Sequence, residues 1–134
     1  MDYKIIKIKK IETPGEGFLS FFEALRDFPF PIMRIYYIYG VESGIKRGGH
    51  AHKRLKQILF CPFGKIEIIL DDGVSRESVL LDEPNKAIII EKPLWREMLW
   101  IEKNSVLCVG ASDYYSEDDY IRHYDDFISF LERK

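Results

Sequence analysis

The sequence is short of the residues that staple a chain together or anchor it in a membrane. It has two cysteines, Cys61 and Cys108, in 134 residues. That is too few for a disulfide framework, and they lack the CxxC spacing of a zinc site. Both lie in apolar, strand-like runs, where cysteine most often serves as a small buried hydrophobe. Long hydrophobic runs are missing too: none approaches the roughly 20 residues that span a bilayer. The opening stretch "MDYKIIKIKKIE" has no apolar segment of secretory-signal length. The expectation is therefore a soluble, cytoplasmic protein. Positive charge is not in excess, with 20 Lys and Arg against 22 Asp and Glu and a formal net charge of -2. That balance excludes a general nucleic-acid binder, but not one small anionic ligand held by a few local arginines. Repeats, linkers and low-complexity segments are absent, and the length fits one domain over residues 1–134.

What the chain does contain is mostly strand signal. "YKIIKIKKIE" alternates apolar and basic residues like a strand with one face in water. "GEGF" follows as a turn or bulge, and "FFEALRDF" is a short helical turn or a loop ending at Pro29 and Pro31. "IMRIYYIYGV" is β-branched and aromatic. "HAHKRLKQILFCPFG" gives one or two strands closed by a Pro-Phe-Gly turn. "KIEIILDDGVSRESVLL" predicts a hairpin turning at Asp72-Gly73. "AIIIEKPLWREMLWIE" and "SVLCVGASDYY" add further strands. Many short strands with regular turns predict an all-β sandwich or barrel. Only the tail "SEDDYIRHYDDFISFLERK" reads as helical, with Ser116 as cap and Tyr120, Tyr124, Phe127 and Leu131 on one apolar face.

Histidine is scarce as well, and two of the three histidines stand one residue apart, His50 and His52. On a strand both point to the same side. Set at a solvated edge they mean nothing; facing a barrel lumen they must be paired or used. Gly44, His50, His52, Gln57 and Gly64 are spaced G-x5-H-x-H-x4-Q-x6-G. This resembles the first motif of the cupin family, which implies a jelly-roll β-barrel. Metal-binding cupins have a glutamate where Gln57 stands and a further histidine in a second motif; "EKPLWREMLW" supplies Arg96 and Glu97 instead. Two imidazoles and a neutral amide beside an arginine make a poor divalent-metal site. Without a metal, a lumenal histidine with a pKa near 6.5 suits proton transfer.

Alternation puts Arg34, Tyr36 and Ile38 on one face of their strand, with Ile35, Tyr37 and Tyr39 on the other. Arg34 needs a partner there, either a carboxylate on a neighbouring strand or an anionic ligand gripped bidentately. Arg47 and Lys53 flank the histidines. Arg54 and Lys56 share the histidine face if the strand runs on regularly. Trp95, Trp100, Tyr114 and Tyr115 are core or interface candidates, of which one or two could stack on a base or sugar.

Together, "RIYYI", "RGGHAHK", "QILFCPFGKIEIILDDG", "PLWREM" and "ASDYYSEDDYIRHYDDF" resemble the dTDP-4-keto-6-deoxyglucose 3,4-ketoisomerases, from about residue 5 to residue 127. The resemblance implies a small cupin with a short C-terminal helix. It implies an isomerase that moves a carbonyl from C4 to C3 of a dTDP-linked 6-deoxyhexose, with no metal or organic cofactor, on the way to lipopolysaccharide or related surface glycans. It also implies a homodimer exchanging N-terminal strands, a role for which "YKIIKIKKIE" is suited. Carried onto this chain, His50 is the carbon base, with His52 and Tyr36 polarising or protonating the oxygens. Arg34, Arg47 and Lys53 are the diphosphate candidates, Gln57 a hydrogen-bonding partner of substrate, and Trp95, Arg96 and Tyr115 further substrate contacts. Glu16 and Arg96 are the positions bearing on the C4 configuration, Arg96 favouring gluco. A 3,5-epimerase of the same sugar nucleotide, a non-catalytic nucleotide-sugar-binding cupin and a metal-dependent oxygenase are the competing readings.

Overall fold

Strand follows strand for almost the whole chain, because nearly every apolar run is short, β-branched and ended by a turn. The structure, a computed structural model, describes residues 1–133. Its strands are β1 (Tyr3–Lys7), β2 (Lys9–Thr13), β3 (Gly17–Phe21), β4 (Arg34–Ile38), β5 (Lys46–His52), β6 (Gln57–Phe63), β7 (Ile66–Asp71), β8 (Arg76–Leu81), β9 (Lys86–Ile90), β10 (Trp95–Trp100), β11 (Val106–Ala111) and β12 (Tyr120–Ile121). One helix, α1 (Tyr124–Glu132), follows. No helix among the described residues is long and apolar enough to cross a membrane.

The strands form two five-stranded antiparallel sheets, ordered β1-β9-β6-β11-β4 and β12-β5-β10-β7-β8. This is the all-β, cupin-type jelly roll with a short C-terminal helix. Leu59, Ile68, Leu70, Ile88, Trp100 and Val109 are buried in the main core cluster. Each such side chain contributes about 1.5–3 kcal/mol relative to exposure. Tyr3 Oη donates to Glu77 Oε1 at 2.9 Å and ties β1 to β8 across one side of the roll. Between β4 and β5 the roll stays open, and the candidate site lies there.

The structure corrects two local expectations and decides between the alternatives of a third. "YKIIKIKKIE" is not one strand: it breaks at buried Ile8, whose amide donates to the Asn85 carbonyl at 2.6 Å. β1 pairs with β9, whereas β2 pairs with β3 as an exposed hairpin arm. "FFEALRDF" is a loop, and Phe22 and Phe28 pack over the outer face of the first sheet with Phe30. The tail does not become helical at Ser116, which makes no side-chain cap bond. Residues Glu117–Asp119 form one 3-10 turn, Tyr120 and Ile121 pair with His52 and Ala51 of β5, and the helix begins only at Tyr124. Sheet pairing and the bonds of Asp119 outweigh the helical pattern there. Tyr124, Phe127 and Leu131 keep the predicted side-by-side placement on α1; Tyr120 does not join them.

Candidate functional site

β5 presents its histidines through a bulge. Arg96 is paired with His50 but Glu97 with Gly48, so Gly49 is one residue extra. Gly48 has φ +87°, and a Cβ there would lie 2.7 Å from Met98 Sδ and 3.0 Å from the Arg96 carbonyl oxygen. The bulge lets Arg47 and His50, an odd number of residues apart, line the same cleft. The strand then stops at His52, because the Lys53 amide turns to the Asp119 carbonyl at 2.9 Å. Arg54 and Lys56 therefore do not extend the histidine face. At the far end of the motif, Gly64 has φ +98°, and a Cβ would meet Ser105 Oγ at 2.0 Å.

The cleft has a volume of about 360 Å³ and lies between β4 and β5. Arg34, Tyr36, Arg47, His50 and Tyr115 line it, together with Met98, Tyr120 and Arg122. The alternation expected for β4 holds, with Tyr37 and Tyr39 outward at 60% and 69% exposure. Arg34 lies 5.4 Å over the Tyr36 ring and 5.7 Å over Tyr115. Its Nε is buried without a hydrogen-bond partner, and no carboxylate among the described residues pairs with it.

His50 and His52 do face inward as a pair, with ring centroids 5.0 Å apart. Both Nε2 atoms are buried and unpartnered among the described residues. Their surroundings differ. His50 lines the cleft, whereas His52 is 1% exposed and set deeper in the same wall, its ring beside that of His50. The Tyr120 ring packs 5.3 Å from His50 and 4.4 Å from His52. His52 Nδ1 bonds Asp119 Oδ2 at 2.9 Å. Burial, then the Arg96 and Arg122 cations, lowers the His50 pKa to about 3. Burial and Arg96 lower that of His52 as well. Both rings are neutral at pH 7, and each carries a free lone pair or N–H for chemistry.

Beneath the pair runs a buried polar chain. Arg96 is fully buried; its Nε and Nη2 donate to the Leu94 carbonyl at 3.2 and 3.0 Å, and its Nη1 donates to Gln57 Oε1. Gln57 Nε2 in turn donates to Tyr36 Oη at 3.3 Å. Both ends of Gln57 are thus committed within the protein, and Arg96 is connected to the cleft-lining Tyr36 through Gln57. Burial raises the Tyr36 pKa, so the phenol keeps its proton. Among the described residues no three His, Cys, Asp or Glu side chains converge as a metal-binding group.

Four expected substrate contacts do not line the cleft: Gln57 and Arg96 are buried beneath it, and Lys53 and Trp95 lie elsewhere. Lys53 lines a separate groove beside α1 with His123, Asp126 and Arg133. Its side chain follows the end of β5 around the corner. Trp95 is on the outer face of β10, bonded to Glu97 Oε2 at 3.1 Å and packed against Tyr124 and Phe127. The helix α1 covers it. Glu16 sits in the exposed turn of the β2–β3 arm, where its amide donates to the Thr13 carbonyl at 2.9 Å. The sequence does not single out Asp119 or Arg122, and marks Tyr120 only as part of a helix face, since "EDDYIR" has the pattern of a helix start. Arg122 is held by Glu117 at 2.6 and 2.8 Å and lies 4.2 Å over the Tyr120 ring.

A roll whose open side carries neutral imidazoles under a rim of arginines is a cupin suited to acid–base work on an anionic ligand. The chain matches the family described as "FdtA: WxcM-like, C-terminal" over residues 1–132. It is 40% identical over 131 residues to the TDP-4-oxo-6-deoxy-alpha-D-glucose-3,4-oxoisomerase of Aneurinibacillus thermoaerophilus, covering 98% of this chain and 94% of that protein. A 3,4-ketoisomerase from Helicobacter canadensis superimposes with a TM-score of 0.94 at 42% identity, over 98% of both chains. A mutant 3,4-ketoisomerase from Thermoanaerobacterium thermosaccharolyticum, in complex with TDP-4-keto-6-deoxyglucose, gives 0.94 at 38% identity over 99% of this chain and 96% of that one. The chain belongs to the FdtA/WxcM-like family of sugar-nucleotide 3,4-ketoisomerases, and its class of activity is isomerisation.

Proposed function

We propose that this protein converts dTDP-4-keto-6-deoxyglucose into the dTDP-3-keto-6-deoxyhexose by acid–base proton transfer through an enediol. The observation that carries the reading is His50: a neutral imidazole at the cleft wall whose buried Nε2 has no partner within the described protein. The C4 carbonyl acidifies the C3 hydrogen. His50 takes that proton and returns it at C4, while the O3 proton leaves and O4 gains one. Tyr36, still protonated, donates to the oxygen on which charge develops. His52 serves the oxygens, and Arg34 and Arg47 hold the diphosphate with its bidentate oxygens. Gln57 stands where other cupins carry a metal-binding glutamate, but it is bonded to the Arg96 cation, which repels a second cation. That favours metal-free chemistry over the oxygenase reading. Incubation with the 4-keto substrate in deuterated water, followed by NMR, tests the proposal. The expected product is the 3-keto sugar with C5 unchanged; inversion at C5 with the carbonyl left at C4 would establish the epimerase instead, and binding without turnover the non-catalytic cupin.

The active form we propose is a homodimer that exchanges its N-terminal arms. The arm exposes Phe18 and Leu19 at 63% and 59%, and the outer face of β4 exposes Ile35 at 68% beside Tyr37 and Tyr39. Apolar area of this kind is the mark of an interface. Sedimentation should give the mass of two chains, and a monomer at micromolar concentration would contradict the arm exchange. The free thiols of Cys61 and Cys108 accord with action in the reducing cytoplasm.

A further inference from the structure

Asp119 has no part in the chemistry above, yet its carboxylate is engaged at both oxygens. Oδ2 bonds His52 Nδ1 at 2.9 Å, and Oδ1 accepts from the Arg54 amide at 2.7 Å. The Asp119 carbonyl accepts from the Lys53 amide at 2.9 Å, so the turn is latched onto the end of β5 at two points. An ionised carboxylate accepts hydrogen bonds and cannot donate them. The proton on a neutral His52 must therefore sit on Nδ1, which leaves Nε2 as a bare acceptor. That Nε2 is the atom found buried without a partner. A carboxylate on the far side of the ring also stabilises the imidazolium formed when Nε2 takes a proton.

We propose that Asp119 is a positioning residue of the isomerisation, fixing His52 as the Nδ1–H tautomer and balancing its charge while it carries the oxygen-bound proton. The inference rests on the ketoisomerase reading. The step balances: the O3–H bond breaks as the Nε2–H bond forms, the electron pair left on O3 closes the new carbonyl, and the same proton then passes from Nε2 to O4. Nothing is oxidised or reduced beyond the substrate itself, and His52 ends as it began. A structural staple alone would need no particular tautomer.

Asp119→Asn separates the two roles. Asparagine Oδ1 still accepts from the Arg54 amide, so its NH2 group faces His52 Nδ1 and drives the ring to the Nε2–H form. Long-range 1H–15N spectra of the full chain labelled at histidine read the tautomer without reference to activity. The expected results are Nδ1–H for His52 in the wild type, Nε2–H in Asp119→Asn, a kcat lowered at least about tenfold with KM within about threefold, and no further loss when Asp119→Asn is added to His52→Asn. A wild-type His52 protonated at Nε2 would overturn the proposal, even if the variant failed to fold. So would a flipped tautomer with unchanged kcat, or an Asp119→Asn loss that persists in the His52→Asn background. Absence of any 3-keto product from the wild type would instead remove the reaction, leaving the tautomer assignment to stand or fall by its own spectrum.

Discussion

His50→Asn should lower kcat for 3-keto product by about 10²–10⁴-fold, the range that a positioned general base contributes. The argument is one of place and chemistry together. His50 is the histidine that lines the cleft, while His52 is set deeper in the same wall. Asparagine fills part of the imidazole volume and keeps hydrogen-bonding capacity, but it cannot take a proton near neutral pH. Because the side chain packs against His52 and Tyr120 and makes no hydrogen bond that holds the fold, the unfolding midpoint should move little. The informative measurement is deuterium exchange at C3 of the bound 4-keto sugar. It should vanish in His50→Asn while substrate binding, followed by calorimetry, persists. Retained exchange at C3 would assign the carbon base to another group and remove His50 from that role.

Acid should destabilise the protein well before its carboxylates titrate. In the folded state burial holds the His50 pKa at about 3, with Arg96 and Arg122 pushing the same way, and lowers that of His52 too. In the unfolded chain both titrate near their ordinary value of about 6.5. The unfolded state thus binds more protons below that pH, and stability must fall as pH falls. The contribution is complete above about pH 7, decreases through the interval below 6.5, and for His50 is exhausted near pH 3. Between pH 7 and 5 the loss should be about 1–2 kcal/mol for each histidine, measured by urea unfolding. Asp119, bonded to His52, limits the loss at that ring. In His50→Asn the pH 7 to 5 decrement should shrink by the share of one histidine. Equal stability at the two pH values in the wild type would mean that the rings are solvated or already charged in the fold.

The fold was legible because its signal is local. Alternation in β4, the Asp72-Gly73 hairpin and the short β-branched runs are properties of neighbouring residues, and each appears in the structure as expected. The histidine pair was legible for the same reason, since one strand sends both rings the same way. The tail misled because acidic residues followed by spaced aromatics satisfy a helix equally well. What pulls Tyr120 and Ile121 into β12 is β5, about 70 residues away in the chain, together with the bonds of Asp119 to the same strand end. Lys53 and Trp95 failed to join the cleft for related reasons: one lies past the point where β5 stops, the other on the covered side of β10.

The amino-acid sequence by itself determined the β-roll, the family and that both histidines point the same way, because strand periodicity and motif spacing act over a few residues. Only the tertiary structure decided how the two imidazoles differ. A bulge at Gly48 and Gly49 turns Arg47 into the cleft beside His50, and a turn from the far end of the chain brings Asp119 to His52. Those roles depend on which groups are desolvated together and which carboxylate reaches which nitrogen, and such contacts between distant segments exist only once the chain has closed on itself.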